Sequence, residues 1–450
     1  LQSLGLMSVS VSDLSGSHGI IPKEAIDIAT ITSVDEGVGF PEGYFRKLPT
    51  VILPGNKAVI EKGQVQSFWL TLKVEKDIAP GDYAGEVILQ TSQKIKIPIQ
   101  VRVQPITFED IPGIQYFMLS TYEMTELVMP WSKAFKEKIY QSAVNIYRDY
   151  KDHGMTTLAP ASPFVLFRDE NGGYRLDDIL ASIRAGTEVG FRNPIIWYMG
   201  QLIQTAKPKH PGNIVGFNPE VQQDRLKTIV ETVLAYTQKN KLPDVLFLPI
   251  DEPDDTSFDL HEKRQKITPL LLQAIAESGG KSVLTRQQLN PSPPNYLISG
   301  VFDEGQLRTA KRQGVPYFVY NNDVTLRCDN PAFARYIYGY YTWRNQIDGM
   351  SSWTFQTTQN SRGRPTADTI DKDAFLAYPH PNGPLSTLKW EAIREGIDDH
   401  KAIYQLVMRK SWLAKKGMDV ARYDQLLSAI REKSKKEVAC QFDTNEDSAW

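Results

Sequence analysis

The first 110 residues alternate apolar and polar side chains, as strands that bury one face do. The alternation is clearest at 67–74, 85–90 and 94–103. Between the first two segments, residues 79–83 combine proline, which restricts φ, with glycine, which permits positive φ, and so predict a turn. Antiparallel strands joined by such turns predict an N-terminal β-sandwich over residues 1–110, which we interpret as an accessory domain.

Beyond residue 113, eight short apolar runs alternate with segments of helical periodicity. The runs lie at 115–120, 156–160, 194–199, 244–250, 281–285, 296–301, 315–320 and 349–355. Eight strands within roughly 240 residues are typical of an α/β fold of the (β/α)8 type, and we predict such a TIM barrel over residues 111–385. An open doubly wound sheet is the rival fold, but no glycine-rich phosphate-binding turn follows an early strand.

Several predicted helices have one apolar face. The first barrel helix has an apolar face made of Phe135, Ile139, Ala143, Ile146 and Tyr150. A later helix begins with Asn218 as N-cap and Pro219 at its first helical position, and buries Leu226, Ile229, Val230 and Val233. Residues 386–450 are predicted to form C-terminal helices packed on the barrel, followed by a polar tail. The second of these helices lies near 421–431, and the first has apolar residues at helical spacing: Trp390, Ile393, Ile397, Tyr404 and Val407.

The composition excludes several classes of function. Lysine and arginine number 51 against 53 aspartate and glutamate, a net charge of −2, so nothing favours nucleic acid or an anionic membrane as partner. No apolar stretch approaches the roughly 20 residues that span a bilayer. The six histidines and the distant Cys328 and Cys440 show no spacing of metal ligands, and no Walker-type or nucleophile-elbow motif occurs. We therefore predict neither a metal nor a cofactor.

The run 244–250 ends in the acidic pair Asp251 and Glu252, followed by Pro253. Parallel α/β folds build their active sites at the carboxyl ends of their strands. Glycoside hydrolysis requires a carboxylic acid that protonates the leaving oxygen and a second group that stabilises an oxocarbenium-like centre. The alternative interpretation is an acidic turn that caps the next helix, with proline ending the strand. The position at a strand end favours catalysis.

The predicted seventh strand favours one glycosidase mechanism. Many retaining barrel glycosidases pair an acid glutamate after strand four with a nucleophilic glutamate after strand seven. Residues 317–323 contain no glutamate, which favours a 2-acetamido sugar whose own carbonyl oxygen is the nucleophile. Asp251 would then orient the acetamido N–H, and Glu252 would act as acid and later as base. Asp323 is the alternative nucleophile.

Three motifs together resemble glycoside hydrolase family 123. They are the Asp-Glu-Pro ending of strand four, the Pro-Gly-Asp-Tyr-Ala-Gly-Glu-Val segment at 80–87, and the helix at 390–399 with Arg-Glu-Gly-Ile-Asp-Asp. The resemblance covers most of 40–410. It implies an exo-β-N-acetylgalactosaminidase that acts with retention and substrate assistance, with Asp251 and Glu252 as its adjacent carboxylates. The short N-terminal region and the absence of an extra β domain after the barrel depart from the family and leave the exact sugar open.

Other side chains at predicted strand ends are candidates for substrate binding. Tyr320 is expected to donate its hydroxyl to the acetamido oxygen, and Trp353 to form the floor of the sugar pocket by stacking. The remaining candidates follow or end strands one, three, five and seven: Tyr122, Trp197, Tyr198, Arg286 and Asn322. Arg394 and Asp398 are four residues apart on a helix and are predicted to form a structural ion pair.

These observations predict a retaining exo-glycosidase that releases terminal β-N-acetylhexosamine, with a glycan or glycoconjugate as its partner. The chain begins at Leu1 without methionine, so we expect that a targeting segment was removed from a secreted or periplasmic protein. Two alternatives remain. One is a glycosidase for another sugar, with Glu252 as acid and Asp323 as nucleophile. The other is a non-catalytic glycan-binding protein that keeps the barrel.

Overall fold

The computed structural model of the 450-residue chain describes residues 5–38, 44–119, 132–161, 176–199, 219–254, 261–285, 294–326, 328, 330–353, 355, 376–378, 380, 383–436 and 438. The chain forms two compact units. The first unit comprises 1–36, 45–109 and 385–388, and the second comprises 37–44, 110–384 and 389–450. The domain limits expected from the sequence, 1–110, 111–385 and 386–450, stay a prediction.

The first unit consists of antiparallel sheets, as predicted. Its strands are β1 (Gly5–Val11), β2 (Leu14–Gly16), β3 (Gly19–Ile21), β4 (Ile26–Val38), β5 (Tyr44–Pro54), β6 (Lys57–Ile60), β7 (Phe68–Leu72), β8 (Gly81–Gln90) and β9 (Lys94–Val103). One sheet has the order β3-β2-β8-β1-β6 with β9 beside β8, and another has the order β5-β4-β7. Apolar side chains from both sheets share one core, which includes Val9, Leu14, Ile26, Phe68 and Tyr83.

The turn expected at 79–83 is shorter than predicted. β8 already begins at Gly81, and Tyr83 pairs with Val101 in the ladder between β8 and β9. The Tyr83 side chain is buried, and its hydroxyl donates to the carbonyl of Ala79 at 2.8 Å. Burial of this ring therefore extends the strand into a segment whose proline and glycine favoured a turn.

The second unit contains a parallel sheet of seven strands. They are β10 (Gln115–Met118), β11 (Ile195–Tyr198), β12 (Val245–Leu248), β13 (Lys281–Thr285), β14 (Tyr296–Ser299), β15 (Tyr317–Tyr320) and β16 (Gly349–Ser352). Their order is β10-β16-β15-β14-β13-β12-β11, so the first strand pairs with the last, as in a barrel. Seven of the eight predicted apolar runs are thus strands of one curled sheet, which forms a partial barrel. The short strand β17 (Ala377–Tyr378) also belongs to this unit, whereas the short strand β18 (Leu385–Ser386) belongs to the first.

The run predicted as the second strand, 156–160, is extended but is not a regular strand. The amides of Thr156 and Thr157 both donate to the carbonyl of Tyr116 in β10, at 2.9 and 3.1 Å. The carbonyls of Leu158 and Pro160 accept from β11, at 2.9 Å each. Two features interrupt a regular ladder. The Tyr116 amide donates its hydrogen bond to the Thr156 side-chain oxygen, and Pro160 has no N–H to donate. The expectation of eight regular strands is therefore wrong in this segment.

Side chains of the parallel strands alternate between two buried layers. The inner layer lies inside the curled sheet and contains Phe117, Ile196, Leu246, Val283, Ile298 and Phe318. The outer layer packs against the helices and contains Tyr116, Trp197, Phe247, Leu284, Leu297 and Tyr317. Because both faces are buried, each strand is apolar throughout and does not alternate with polar residues.

Helices cover the outer layer. They are α1 (Lys133–Asp152), α2 (Asp177–Val189), α3 (Pro219–Asn240), α4 (His261–Glu277), α5 (Glu304–Gln313), α6 (Asp323–Leu326), α7 (Pro331–Tyr336), α8 (Thr342–Arg344), α9 (Leu388–Lys415) and α10 (Ala421–Lys433). A π-helical turn, Ile337–Tyr341, joins α7 to α8. The apolar face predicted for α3 is confirmed, since its members are all buried: Leu226, Ile229, Val230 and Val233. The residues predicted at helical spacing from Trp390 to Val407 all lie in α9, where Trp390 is buried and Val407 is 37% exposed.

None of the described helices has the length and apolarity that crossing a membrane requires. Among the described residues, no group of three or more histidine, cysteine, aspartate or glutamate side chains could hold a metal ion.

A buried ionic cluster joins α1 to α9. The His153 ring stacks on Trp390 with 4.7 Å between ring centroids, and its Nε2 lies 3.2 Å from a Glu391 carboxylate oxygen. Asp149 accepts from the Trp390 indole N–H at 2.9 Å. Burial lowers the pKa of His153, but the Asp149 and Glu391 carboxylates outweigh burial and raise this pKa above its ordinary value.

We expect the free energy of unfolding to fall as the pH rises above about 6.5, the ordinary pKa of histidine. The folded state binds the His153 proton more tightly than the unfolded chain does, which stabilises the folded state. This stabilisation is complete below the unfolded-state pKa and disappears as the pH rises past the higher folded-state pKa. Urea unfolding followed by tryptophan fluorescence across pH 6 to 9 measures the slope. His153→Gln should flatten it, whereas replacing the exposed His18 should not. An unchanged slope in His153→Gln would contradict the assignment.

Candidate active site

The carboxyl ends of three neighbouring strands meet at Asp251 and Glu252. β12 ends at Leu248 and lies between β11 and β13 in the sheet. Pro249 and Ile250 continue the chain, and Ile250 is buried in the outer layer. Asp251 and Glu252 follow and are both half-buried. The acidic pair thus occupies the edge where parallel barrels place catalytic groups.

Hydroxyl groups from the two flanking strands hold the Asp251 carboxylate. Thr285, the last residue of β13, donates from Oγ1 to Asp251 Oδ1 at 2.7 Å. Tyr198, the last residue of β11, donates from its hydroxyl to Asp251 Oδ2 at 3.1 Å. Each carboxylate oxygen therefore accepts a hydrogen bond from a hydroxyl group, which suits an anionic acceptor. These contacts fix the carboxylate from both sides.

The backbone of Glu252 has a positive φ of 39°. Non-glycine residues rarely occupy this left-handed region, and holding one there costs about 1–3 kcal/mol. The Glu252 amide donates to Thr285 Oγ1 at 2.8 Å, which ties this conformation to β13. In a regular strand, Asp251 and Glu252 would point to opposite faces. Because Glu252 has a left-handed backbone, the strand-like alternation of side chains does not continue from Asp251 to Glu252.

Aromatic side chains surround this edge on the inner layer. Tyr198 and Tyr320 belong to the inner layer and are 7% and 9% exposed, and Trp353 is partly buried against it. Gly300 gives the Tyr320 ring its space, since a Cβ there would lie 2.8 Å from the Tyr320 hydroxyl oxygen. Three predicted substrate-binding residues are therefore packed in the same layer.

Two polar residues after β15 hold the end of β16. Asn322 Oδ1 accepts from the Trp353 amide at 2.9 Å, and Thr325 Oγ1 donates to the Trp353 carbonyl at 2.5 Å. Asn322 thus positions the backbone of Trp353, while its contact with substrate stays a prediction. Asp323, the alternative nucleophile, begins α6, and its amide donates to Asn321 Oδ1 at 3.0 Å.

The structure corrects the prediction for Trp197. This side chain is fully buried in the outer layer, where its ring lies 6.1 Å from that of Phe247, so it packs between sheet and helices and does not line a substrate pocket. Its neighbour Tyr198 has the opposite orientation. The candidates Arg286 and Tyr122 lie outside the described residues.

Sequence reasoning missed Thr285. Its hydroxyl contacts both Asp251 and Glu252, yet it is one polar residue at the end of the run 281–285. The available signal was its position, because a polar side chain that closes a buried parallel strand lies at the same edge as the carboxylates.

Residues 226–406 match the family model described as the catalytic domain of glycoside hydrolase 123. The matched span begins in α3, includes β12 to β16 with Asp251, Glu252 and Thr285, and ends in α9. The family resemblance inferred from the sequence is thereby confirmed for residues 226–406.

Solved structures provide a second comparison for this chain. A family 123 glycoside hydrolase from Clostridium perfringens, studied for glycolipid glycan hydrolysis, aligns with a TM-score of 0.71. The alignment covers 92% of this chain and 82% of that chain at 14% identity, and so supports the fold alone.

Two further structures are similar only at a coarse level. A Bacteroides ovatus family 5 xyloglucanase has a TM-score of 0.37 at 9% identity, covering 87% of this chain and 96% of its own. A family 39 β-xylosidase from Caulobacter crescentus has a TM-score of 0.41 at 14% identity, covering 65% and 72%. Neither carries an argument about this site. A comparison with curated protein sequences found no match.

Proposed function

We propose that this chain is a family 123 glycoside hydrolase that releases terminal β-linked N-acetylhexosamine, galacto-configured by family resemblance, with retention of configuration. The proposal depends on one observation. Asp251 and Glu252 follow β12, which lies between β11 and β13, and hydroxyls from the strands on both sides hold Asp251. A fixed carboxylate beside a second carboxyl group supplies the two roles that glycoside hydrolysis requires.

In the proposed first step, the acetamido oxygen of the substrate attacks the anomeric carbon. The bond from that carbon to the leaving oxygen breaks, Glu252 gives its proton to the leaving oxygen, and an oxazolinium ring forms. Asp251 accepts a hydrogen bond from the acetamido N–H and stabilises the positive charge of that ring. An ionised carboxylate has about four lone-pair sites and can accept several hydrogen bonds at once, including those from Thr285 and Tyr198.

In the second step, water attacks the anomeric carbon and Glu252 removes its proton. The ring opens, the acetamido group is regenerated, and Glu252 is again protonated. Two inversions at the same carbon give net retention, and no carboxylate of the enzyme forms a bond to the sugar. The lack of glutamate in 317–323 is consistent with this sequence of events.

Tyr320 and Trp353 complete the proposed sugar pocket. Tyr320 would donate to the acetamido oxygen, and the Trp353 ring would stack on the sugar. Arg286, Tyr122 and Asn322 are proposed to contact more distant hydroxyls. The extended segment 156–161, hydrogen-bonded to β10 and β11, supports a complete eight-membered ring of strands around this pocket. The Clostridium perfringens structure was studied for glycolipid glycan hydrolysis, so glycolipid glycans that end in the sugar proposed here are the first substrates to assay.

We also propose that the protein acts outside the cytoplasm, in the periplasm or after secretion. Cys328 is disulfide-bonded, and disulfides persist in oxidising compartments. Fractionation of producing cells with an antibody against the chain tests this directly, and recovery in the cytoplasmic fraction would contradict it.

A 2-acetamido thiazoline sugar should inhibit the enzyme competitively. This analogue mimics the cyclised intermediate, and such mimics bind about 10²-fold or more tighter than the parent sugar. Inhibition is measured against a nitrophenyl N-acetylgalactosaminide, with the matching thiazoline of gluco configuration reporting on the preferred sugar.

The alternative mechanism, with Asp323 as nucleophile, arises because Asp323 follows β15 at the same edge of the sheet. Asp323→Asn separates the two mechanisms: it should retain activity under substrate assistance and lose it if Asp323 forms a covalent bond. Activity without thiazoline inhibition, lost in Asp323→Asn, would replace our mechanism. A protein that binds N-acetylhexosamine and hydrolyses no glycoside would be the non-catalytic alternative.

A further inference from the structure

One hydroxyl group connects the two carboxylate residues. Thr285 Oγ1 accepts a hydrogen bond from the Glu252 amide at 2.8 Å and donates one to Asp251 Oδ1 at 2.7 Å. Thr285 is 2% exposed and ends β13. We propose that Thr285 is a positioning residue that sets the orientation of Asp251 relative to Glu252 during hydrolysis. This inference rests on the proposed function and concerns the same site.

The direction of each hydrogen bond is determined by chemistry. A backbone amide can only donate, so the Thr285 oxygen must accept from Glu252. The single hydroxyl proton is then available for Asp251, whose oxygen must accept it. Thr285 therefore keeps Asp251 in the acceptor role that the substrate N–H also requires. Because threonine is β-branched, χ1 has few rotamers, and burial restricts Thr285 further.

Tyr198 contacts the other oxygen of Asp251. Its hydroxyl donates to Oδ2 at 3.1 Å from the opposite strand. Thr285 holds the backbone amide of Glu252, where φ is 39°, in addition to Asp251 Oδ1. Removing the Thr285 hydroxyl should therefore disturb the geometry of both acidic residues.

Thr285→Val preserves the shape of the side chain and removes the hydroxyl. We expect kcat to fall about tenfold to a hundredfold, since displacement of reacting groups by about 1 Å has effects of this size. KM should change little, because Tyr320 and Trp353 still bind the sugar. The loss should persist with a nitrophenyl leaving group, because the orientation of Asp251 matters in ring closure whatever the leaving group. Thr285→Ser keeps the hydroxyl and should recover most of kcat.

Three measurements distinguish positioning from a merely structural role. The first is kcat and KM for wild type, Thr285→Val, Thr285→Ser and Tyr198→Phe. The second is the melting temperature of each variant. The third is a crystal structure of Thr285→Val, which does not depend on turnover. We expect a rotated Asp251 carboxylate, or a Glu252 φ outside the left-handed region, with the overall fold retained.

The outcomes separate this inference from the proposed function. Unchanged kcat in Thr285→Val, or equal losses in Thr285→Val and Thr285→Ser that follow the melting temperature, would overturn the positioning role. An unchanged Asp251 rotamer and Glu252 φ in the crystal would overturn it as well, even if the wild type hydrolyses no glycoside. A wild type that hydrolyses no glycoside overturns the proposed function, while displaced acidic residues in the Thr285→Val crystal would still support the positioning role.

Discussion

Glu252→Gln should lower kcat for a glycoside with a poor leaving group by about 10²–10⁴-fold, the range ascribed to general acid catalysis. Glutamine keeps the size of the side chain but cannot give a proton to the leaving oxygen. With a dinitrophenyl leaving group, which departs without protonation, the first step should be largely restored. Steady-state kinetics with the two substrates measures this difference.

A matched control is available at the opposite end of the barrel helices. Glu277 is the last residue of α4, is exposed, and pairs with Lys227 at 2.6 Å. Glu277→Gln makes the same chemical change away from the strand ends and should retain wild-type kinetics. A Glu252→Gln enzyme that keeps full activity on the poor leaving group would remove Glu252 from the acid role.

Gly396→Ala should lower the free energy of unfolding by about 3 kcal/mol, the upper part of the usual range for overpacked sites. α9 passes so close to α7 that a Cβ at Gly396 would lie 2.3 Å from the Arg335 carbonyl oxygen. Backbone atoms cannot rotate away as a flexible side chain can, so the helices must separate. Chemical unfolding of the variant and the wild type measures the change.

Two glycine variants test whether this effect comes from the helix contact. Gly339 lies on the facing π-helical turn, where a Cβ would stand 2.7 Å from the Gly396 carbonyl oxygen, so Gly339→Ala should also destabilise. In α5, a Cβ at Gly305 would meet only the Asp303 side chain at 3.1 Å. Gly305→Ala should therefore have little effect. A Gly396→Ala protein as stable as Gly305→Ala would contradict close helix packing as the reason for this glycine.

The motif at 390–399, which contributed to the family resemblance, makes contacts between helices. Asp399 pairs with Arg335 through two hydrogen bonds of 2.7 and 3.0 Å, and Gly396 permits the close approach. Arg394 lies 3.6 Å from Asp398, which confirms the predicted ion pair, and also contacts Glu391 at 3.1 Å. The motif holds α9 against the helices before β16.

Most strands of the parallel sheet could be predicted because each is a short apolar run between polar segments. β12, for example, was predicted at 244–250 and is observed at Val245–Leu248. The failure at 156–160 has a local cause, since Thr156 and Pro160 replace or remove the hydrogen bonds of a regular ladder. The apolar content of a segment does not predict which backbone hydrogen bonds it forms.

Candidate side chains were harder to assign than strands. Trp197 and Tyr198 are neighbours at one strand end, and a strand buried on both faces gives no polar signal for its inner side. A shift of one residue in strand register moves every side chain to the other face of the sheet. The sequence therefore could not show that Trp197 packs against the helices while Tyr198 holds Asp251. Thr285 was missed because its role depends on atoms 33 and 34 residues away.

By itself, the amino-acid sequence determined the order of elements, the family resemblance and the position of the acidic pair, because local periodicity and short motifs carry that information. Tertiary structure decided which neighbouring side chains share the site. Tyr198 and Thr285 reach Asp251 only because β11 and β13 flank β12, and Glu252 adopts a left-handed backbone while tied to Thr285. Hydrogen bonds between residues distant in sequence depend on strand pairing, and strand pairing is a property of the folded chain.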